Sequence, residues 1–224
     1  ANKQGRIAAD NICGGNSRFT GSQGSSVLKL FSLTAASTGI NEKTAQAAEI
    51  AYDKVVLFPA SHAAYYPGAQ SMAMKVLYEK ESLRLLGAQI VGGDGVDKRI
   101  DVLATAIRAK MTALELTELD LSYAPPYSSA KDPVNMAGFM IEDLESEKVR
   151  QFHWNEVEDL PCDGSATLLD VRTAREYQRG HLDGFRNIPL DDLREYLDEL
   201  DRGKPVYVNC QTGLRSYLAC RLLT

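Results

Sequence analysis

The sequence lacks the patterns that mark several large functional classes. No apolar run approaches membrane-spanning length, and the N-terminus lacks the layout of a signal peptide. The four cysteines form no CxxC pair and no metal-ligand spacing, and no GxGxxG turn of the dinucleotide-binding type is present. The formal net charge is −5, with no long block of either sign, which argues against nucleic acid and membrane surfaces as partners. We therefore predict a metal-free protein of a reducing cytoplasm.

The 224 residues suffice for one large or two small domains, and a hydrophobic content of 44% supports a packed core. Residues 1 to 13 are predicted to form a helix that ends at Gly14 and Gly15, before a polar, glycine-rich connector. The chain starts without Met, in what reads as a helix already under way, and closes a few residues into another helix. We expect a piece of a longer protein, with sequence missing at both ends.

The middle region is predicted to be α+β. Its predicted strands cover residues 27–37, 54–60, 71–79 and 84–93, and its predicted helices cover residues 42–52 and 100–111. Asn41 is a candidate N-cap, and Thr112 with Glu115 forms a capping box for a further helix. Four alternating residues are predicted to share one apolar face: Met72, Met74, Val76 and Tyr78. The stretch "VGGDGVD" has the wrong spacing for a phosphate loop and is better explained as a tight turn between a strand and a helix.

A third region begins near Val149, and its strands alternate with helices. The predicted strands are "TLLDV" and "KPVYVNC", and Thr173 with Glu176 forms a second capping box. Leucines at positions 193, 197 and 200 predict an amphipathic helix between them. Because strands that alternate with helices are typical of βαβ units, we predict a parallel sheet here.

Cys210 stands at the end of the last predicted strand, just before a helix. Backbone N–H groups and the helix dipole converge at such a position and stabilise a thiolate, which is the nucleophilic form of cysteine. Arg215 adds a permanent cation, and Gly213 allows the loop to close tightly around an anion. We predict that strand end, helix start and Arg215 together lower the pKa of Cys210. The alternative is a buried cysteine that happens to precede a turn.

Residues 151 to 224 resemble a rhodanese-type sulfurtransferase domain, through "LLDVRTAREYQRGHLDGFRNIPL" and "VNCQTGLRS". The resemblance implies that Cys210 accepts a sulfane sulfur as a persulfide, inside a loop that Arg215 closes. The loop residues implied in binding are Gln211, Thr212, Gly213 and Leu214. Related phosphatases place five residues in this loop, so the shorter ring implies sulfur chemistry. The family pattern continues through a further strand and helix, so we expect a truncated domain.

Four further residues match positions of that pattern which we interpret as scaffold: Asp170, Arg172, Glu176 and His181. Of the other cysteines, Cys220 is predicted to be a core residue and Cys162 to lie in a loop.

Residues 1 to 145 resemble the C-terminal part of FAD-dependent pyridine nucleotide–disulfide oxidoreductases, in the branch of CoA-disulfide reductases and NADH oxidases. The segments that carry this resemblance are "ANKQGRIAADNICGG", "SLTAASTGINEKTA", "SHAAYYPGA", "GVDKRIDVLATAI" and "LDLSYAPPYSSAKDPVNMAG". The resemblance implies three parts: residues 1–24 as the end of an FAD domain with its connector, 25–148 as a dimerisation domain, and 149–224 as the truncated rhodanese domain.

The same resemblance implies site residues. Tyr65 and Tyr123 correspond to tyrosines that reach across a homodimer to the partner's flavin and redox cysteine. Lys131 and Lys3 correspond to contacts with CoA, whose phosphates favour a cation. The alternative for Tyr65 and Tyr66 is that they are ordinary interface aromatics.

Together the two resemblances imply part of a flavin-dependent NAD(P)H reductase of CoA disulfide or CoA persulfide, a homodimer that uses FAD, NAD(P)H and CoA. No redox cysteine or flavin-binding turn of that family is present, so we expect this chain alone to lack redox activity. Two alternatives remain: a dimerisation scaffold with a rhodanese remnant that recognises rather than reacts, and an NADH oxidase that reduces oxygen.

Overall fold

Two sheets organise the computed structural model, which describes residues 2 to 224. The first is a five-stranded antiparallel sheet within residues 26–92, and the second is a three-stranded parallel sheet within residues 167–209. The predicted α+β region and the predicted parallel sheet are both confirmed. Within residues 2–224, no helix has the length and apolar character needed to cross a membrane.

The first helix, α1 (Asn2–Ile12), has no buried residue. It confirms the predicted helix over the described residues, while Ala1 lies outside them. The connector folds back on the helix because the Asn11 side chain bonds both backbone groups of Ser17, at 3.0 and 2.8 Å. These bonds use the side-chain amide as a substitute for backbone pairing.

The antiparallel sheet has the strand order β1-β2-β5-β4-β3. Its strands are β1 (Ser26–Leu30), β2 (Leu33–Gly39), β3 (Tyr52–Leu57), β4 (Met72–Glu79) and β5 (Leu85–Gly92). The single strand predicted over residues 27–37 is wrong, because the chain reverses between β1 and β2. Phe31 makes this turn with φ at 53°, in the left-handed region that favours glycine, and its side chain is 92% exposed. The turn contains no glycine, proline or asparagine, the residue types from which a sequence would predict a chain reversal.

The helix after β2 is shorter than predicted. Asn41 does cap it, accepting a hydrogen bond from the Thr44 N–H at 3.0 Å. However, α2 (Glu42–Ala47) ends well before residue 52, because Glu49 takes a left-handed φ of 52° and the chain turns into β3. The residues expected to extend the helix instead form that turn and the start of the strand.

The core of this region lies between β4, β5 and two helices, α3 (Val96–Arg108) and α4 (Pro133–Glu145). The alternating face predicted for β4 is confirmed: Met72, Met74, Val76 and Tyr78 are all buried. Along α3 the predicted apolar face is slightly rotated. Ile100 and Leu103 are buried as expected, but Ala106 completes the buried stripe, while Ala104 and Ile107 are only half-buried.

Two glycines allow β2 and β5 to approach closely. Gly39 pairs with Gly87 at the end of the β2–β5 ladder. A Cβ atom on Gly87 would lie 1.9 Å from the carbonyl oxygen of Ile40, which is backbone and cannot move aside. Only glycine fits at this position.

The parallel sheet has the order β7-β6-β8, with β6 in the centre. Its strands are β6 (Thr167–Asp170), β7 (Arg186–Asn187) and β8 (Val206–Asn209). The two helices that flank it are α5 (Ala174–Gln178), which the Thr173–Glu176 capping box starts as predicted, and α6 (Leu214–Leu223). A separate small core packs around Leu169, Ile188 and Ala219.

Two predicted helices are 3₁₀ rather than α. The leucine-spaced segment forms a 3₁₀ helix over Leu193–Glu199, where i→i+3 bonds such as Leu200 N–H to Leu197 O, at 3.3 Å, replace the longer α pattern. The Thr112–Glu115 box forms both of its hydrogen bonds, but the helix it introduces, Leu114–Glu118, is also 3₁₀.

Direct contacts join the two sheet regions. The Tyr217 hydroxyl of α6 donates to Asp143 of α4 at 2.9 Å, and the Arg221 guanidinium donates to the Lys148 carbonyl at 2.9 Å. In the linker, Gln151 donates to the Lys54 carbonyl at 2.7 Å. The C-terminal half of α4 is therefore in direct contact with α6, the helix that follows Cys210.

Candidate functional site

The sulfur of Cys210 lies within a ring of hydrogen-bond donors. β8 ends at Asn209 and α6 begins at Leu214, with Gly213 between them at a left-handed φ of 95°. This turn directs two backbone N–H groups at Sγ: that of Gly213 at 3.1 Å and that of Ser216 at 3.3 Å. Such a nest of N–H groups at a helix start stabilises negative charge on sulfur.

The Ser216 hydroxyl completes this ring. In the thiol form, Cys210 donates to Ser216 Oγ at 3.4 Å, and the hydroxyl in turn donates to the Gly213 carbonyl at 2.8 Å. Burial raises the pKa of Cys210. Hydrogen bonds from the Ser216 hydroxyl and from the backbone of Ser216, Thr212 and Gly213 together lower it by more than burial raises it, so the net pKa falls. The Ser216 hydroxyl accepts from the thiol, and it can rotate to donate to the thiolate once the proton has left.

Arg215 donates no hydrogen bond to the sulfur. Its guanidinium is bound by both carboxylate oxygens of Glu176, at 2.8 and 2.7 Å. The predicted direction of the Cys210 pKa is confirmed, and the hydrogen bonds from Ser216, Thr212 and Gly213 are the main causes that lower it. Arg215 still attracts the Cys210 thiolate, although its guanidinium is paired with Glu176. The same Glu176 carboxylate closes the capping box with Thr173, which fixes Arg215 to the start of α5.

The loop between cysteine and arginine is open to solvent. Its four residues, Gln211, Thr212, Gly213 and Leu214, are all exposed. Cys210 itself is half-buried beneath them. A small sulfur donor can therefore approach from the loop side while the back of the sulfur faces the core.

A second group of site residues forms in the first region. The hydroxyls of Tyr65 and Tyr123 meet at 3.1 Å, although the two residues belong to separate loops. Both side chains are largely exposed, at 77% and 49%. The hydrogen bond with Tyr65 is the main reason that the pKa of Tyr123 is raised. The pair therefore presents two linked phenols to whatever covers this surface.

Comparison with known proteins identifies both regions. A family model described as the pyridine nucleotide-disulphide oxidoreductase dimerisation domain matches residues 25–133, and a rhodanese-like domain model matches residues 153–224. The chain joins a pyridine nucleotide–disulphide oxidoreductase dimerisation domain to a rhodanese-like domain. The recognition made from the sequence is thus confirmed.

Individual relatives match all or part of this chain. A coenzyme A disulfide reductase of Staphylococcus haemolyticus is 41% identical over 145 residues, which are 64% of this chain and 32% of the relative. The crystal structure of reduced Bacillus anthracis CoADR-RHD superposes with a TM-score of 0.92 at 47% identity, and a NAD-dependent persulfide reductase from A. fulgidus with 0.88 at 41%. Each superposition covers 99% of this chain and 40% of the other. The chain thus spans about a third of the length of the curated relatives that it matches.

The predicted scaffold residues of the rhodanese-like domain donate no hydrogen bond to the sulfur, although Asp170 pairs with Asn209 and Glu176 holds Arg215. Asp170 is buried and accepts three hydrogen bonds from the Arg172 guanidinium, two from Nε and one from Nη2. His181 stacks on Tyr177 and shares a hydrogen bond with the Tyr177 carbonyl at 3.1 Å. Cys220 packs with the small core, and burial raises its pKa. Cys162 is exposed, outside any helix or strand.

The two predicted CoA contacts lie on different features. Lys131 precedes α4, with Nζ 5.8 Å from the centre of the Phe139 ring. Lys3 lines a cleft of about 490 Å³ between α1 and the connector. Sequence reasoning missed the other cations of this cleft, Arg6, Arg18 and Arg108, because they are far apart in the chain. The cleft lining includes neither Lys131 nor the two tyrosines.

The two implied cofactors, CoA and FAD, differ in how well the residues of this chain fit them. The cationic cleft and Lys131 suit the phosphates of CoA. A flavin pyrophosphate needs a glycine-rich turn at a helix start. The turn before α3 does not provide one, because Arg99 occupies it and donates to the Gly95 carbonyl at 3.2 Å. The turn before α3 is therefore not a flavin pyrophosphate site.

Proposed function

We propose that this chain is the dimerisation and rhodanese portion of an FAD-dependent NAD(P)H reductase of CoA disulfide or CoA persulfide, in which Cys210 carries a sulfane sulfur. The observation that carries this proposal is the ring of polar groups around Cys210: two backbone N–H groups that donate to the sulfur, and one hydroxyl 3.4 Å from it. A ring of this size suits a persulfide anion, and relatives of both domains are named for CoA disulfide or persulfide reduction.

The loading step uses only this chain's residues and a sulfur donor such as thiosulfate. The Cys210 thiolate attacks the outer sulfur, a new S–S bond forms, and sulfite leaves with the electron pair of the broken bond. The resulting persulfide anion takes the place of the thiolate among the N–H groups of Gly213 and Ser216.

The unloading step transfers the sulfur to a small thiol. An acceptor thiolate, such as that of CoA, attacks the outer sulfur of the persulfide. Cys210 leaves as a thiolate, and the lowered pKa of Cys210 favours this departure because a more stable thiolate is a better leaving group.

We further propose roles for the first region. In a homodimer, Tyr65 and Tyr123 would hydrogen-bond a thiolate or donate a proton as sulfur leaves. Lys131 and Lys3 would bind the phosphates of CoA. FAD, when bound by the remainder of the protein, would supply electrons that originate from NAD(P)H. Purified alone, this chain is expected to be a dimer by sedimentation and to be colourless, with no NAD(P)H oxidation.

A second function is favoured by one observation. Because Glu176 holds Arg215, the cation of the loop is not free to bind an incoming anion. A rhodanese-like domain of this kind could recognise a ligand without turnover, as part of a dimerisation scaffold.

Persulfide formation separates the two functions. The protein is incubated with thiosulfate, the excess is removed, and the sulfane sulfur is released with cyanide and counted. We expect one sulfur per chain in the wild type, none in Cys210→Ser, and one in the matched control Cys220→Ser. Absence of sulfur in the wild type, or equal amounts in wild type and Cys210→Ser, would contradict the proposed function and support the scaffold.

A further inference from the structure

Arg99 is a charged residue in the interior of the dimerisation domain. It belongs to α3, and its side chain is only 1% exposed. A buried guanidinium is destabilising unless its donors are satisfied and its charge is paired. The partners of the Arg99 guanidinium therefore identify the segments that it holds in place.

Its donors reach both loops that carry the tyrosines. Arg99 Nη2 donates to the Ser61 carbonyl at 2.9 Å, in the loop that continues to Tyr65. The same nitrogen donates to the Tyr127 carbonyl at 3.3 Å, in the loop that begins before Tyr123. These loops contain no helix and no strand of the sheet, so only scattered backbone bonds hold them, such as that from the Ser61 N–H to the Gln70 carbonyl at 2.8 Å. Arg99 connects them, together with one direct backbone hydrogen bond from the Ala63 N–H to the Ser128 carbonyl at 3.1 Å.

Asp132 balances the charge of Arg99. The Arg99 Nη2 and Asp132 Oδ2 atoms are 3.0 Å apart, and Asp132 is only 3% exposed. Asp132 also accepts from the Ser128 hydroxyl at 2.6 Å and from the Val134 N–H at 3.1 Å, which caps α4. Burial raises the pKa of Asp132. The hydrogen bonds from Ser128, Val134 and Arg99 lower it by more than burial raises it, so the carboxylate stays charged. Lys131 is the residue next to this cap.

We infer that the Arg99–Asp132 pair is a positioning element for the tyrosine surface: it sets the separation of the Tyr65 and Tyr123 hydroxyls and the place of Lys131. Neither member of the pair touches the phenols, and both act through the loops. The role of the tyrosines themselves rests on the proposed function, whereas their placement by Arg99 does not.

The chemistry of arginine explains why a lysine cannot replace it. The guanidinium binds through all three of its nitrogens: Nη2 reaches the two loops and Asp132, Nε lies 3.4 Å from Asp132 Oδ1, and Nη1 donates to the Gly95 carbonyl at 3.2 Å. An ammonium on a flexible stem is a point charge and cannot reproduce this rigid fork. Arg99→Lys therefore keeps the ion pair with Asp132 but releases at least one loop. The phenols then lose the fixed 3.1 Å contact.

Tyrosine titration in this chain tests the inference without any enzyme activity. Ring-labelled tyrosine is followed by NMR against pH, and the Tyr123 signal is identified by its loss in Tyr123→Phe. In the wild type we expect a Tyr123 midpoint above the ordinary value of about 10. In Arg99→Lys the midpoint falls toward that value, and in the matched control Arg84→Lys, an exposed arginine of the same domain, it stays at the wild-type position.

Two further arms keep the outcomes distinct. If Arg99→Lys does not fold, Ser128→Ala removes only one hydroxyl of the cluster and should lower the midpoint in the same direction by a smaller amount. An unchanged Tyr123 midpoint in folded Arg99→Lys, or in folded Ser128→Ala when Arg99→Lys fails to fold, overturns the inference. In the complete flavoprotein, Arg99→Lys should lower kcat/KM for CoA disulfide by roughly tenfold. A shifted midpoint with unchanged turnover would uphold the positioning and instead contradict the proposed role of the tyrosines.

Discussion

The guanidinium of Arg215 is bound by both carboxylate oxygens of Glu176, at 2.7 and 2.8 Å, and not by the sulfur of Cys210. The two charges act on the sulfur in opposite directions, so Glu176 offsets part of the attraction between Arg215 and the Cys210 thiolate. Glu176→Gln should release the cation, and a nearby uncompensated cation favours a thiolate. We expect the midpoint of iodoacetamide alkylation of Cys210 to fall by roughly 0.5 to 1 pH unit. Arg215→Ala leaves the anion alone and should move the midpoint upward, so a downward shift in both variants would refute this account.

Ser216 should control the thiol more strongly than Arg215 does. Its hydroxyl is 3.4 Å from Sγ and can donate to the thiolate, whereas Arg215 is committed to Glu176. Ser216→Ala should raise the alkylation midpoint by up to about one pH unit. Ser216→Thr keeps the hydroxyl and should restore the wild-type midpoint. Equal midpoints for the alanine variant and the wild type would show that backbone N–H groups act alone.

Glu42 makes the dimerisation domain sensitive to acid. Burial raises the pKa of Glu42, but hydrogen bonds from Lys54 at 2.5 Å and Lys75 at 2.6 Å outweigh it and hold the pKa at about 2. Because this is below the unfolded value of about 4.3, the stabilisation is present above that pH and is lost as the pH falls toward 2. Urea unfolding at pH 7 should show Glu42→Gln less stable by about 2 kcal/mol, with the difference vanishing near pH 2.

The exposed Glu49 provides the control for that measurement. Glu49→Gln should leave the unfolding free energy within about 0.5 kcal/mol at every pH. A Glu42→Gln penalty that stayed constant down to pH 2 would mean that packing, not the two lysines, supplies the stabilisation.

The contact of β2 with β5 should tolerate no side chain at residue 87. Gly87→Ala would drive a Cβ into the Ile40 carbonyl, so we expect a loss of about 3 kcal/mol or more in the free energy of unfolding. Gly5→Ala is the matched control, because nothing lies within 4 Å of its added Cβ and alanine favours the α1 helix. Equal stability of the two variants in urea would contradict the close approach.

Local patterns predicted much of this fold. The buried face of β4 follows from four apolar side chains at every second position of one strand. The Thr173–Glu176 capping box involves two residues that are only three positions apart. The β1–β2 hairpin could not be predicted in this way. Phe31 turns the chain with a left-handed backbone that its residue type disfavours, so the turn depends on the pairing of the strands and not on its own preference.

The site was predictable where the sequence places its parts together. Cys210 and its loop are contiguous, so the strand-to-helix turn implied the N–H groups. The Arg215–Glu176 and Arg99–Asp132 pairs join positions far apart in the chain. In a single sequence Arg99 and Asp132 resemble solvated surface residues, and only folding shows which charges share a partner.

Helix α4 connects the surroundings of the two sites, since Asp132 caps its start beside the tyrosine loops and Asp143, roughly three turns later, accepts the Tyr217 hydroxyl of α6. A helix couples length to rotation: each added residue advances the chain by about 1.5 Å and turns it by about 100°. One inserted residue in α4 would therefore swing the rhodanese-like domain around to a different side of the dimerisation domain. Insertions or deletions there can preserve the relative orientation of Cys210 and the tyrosine surface only when they amount to nearly whole turns.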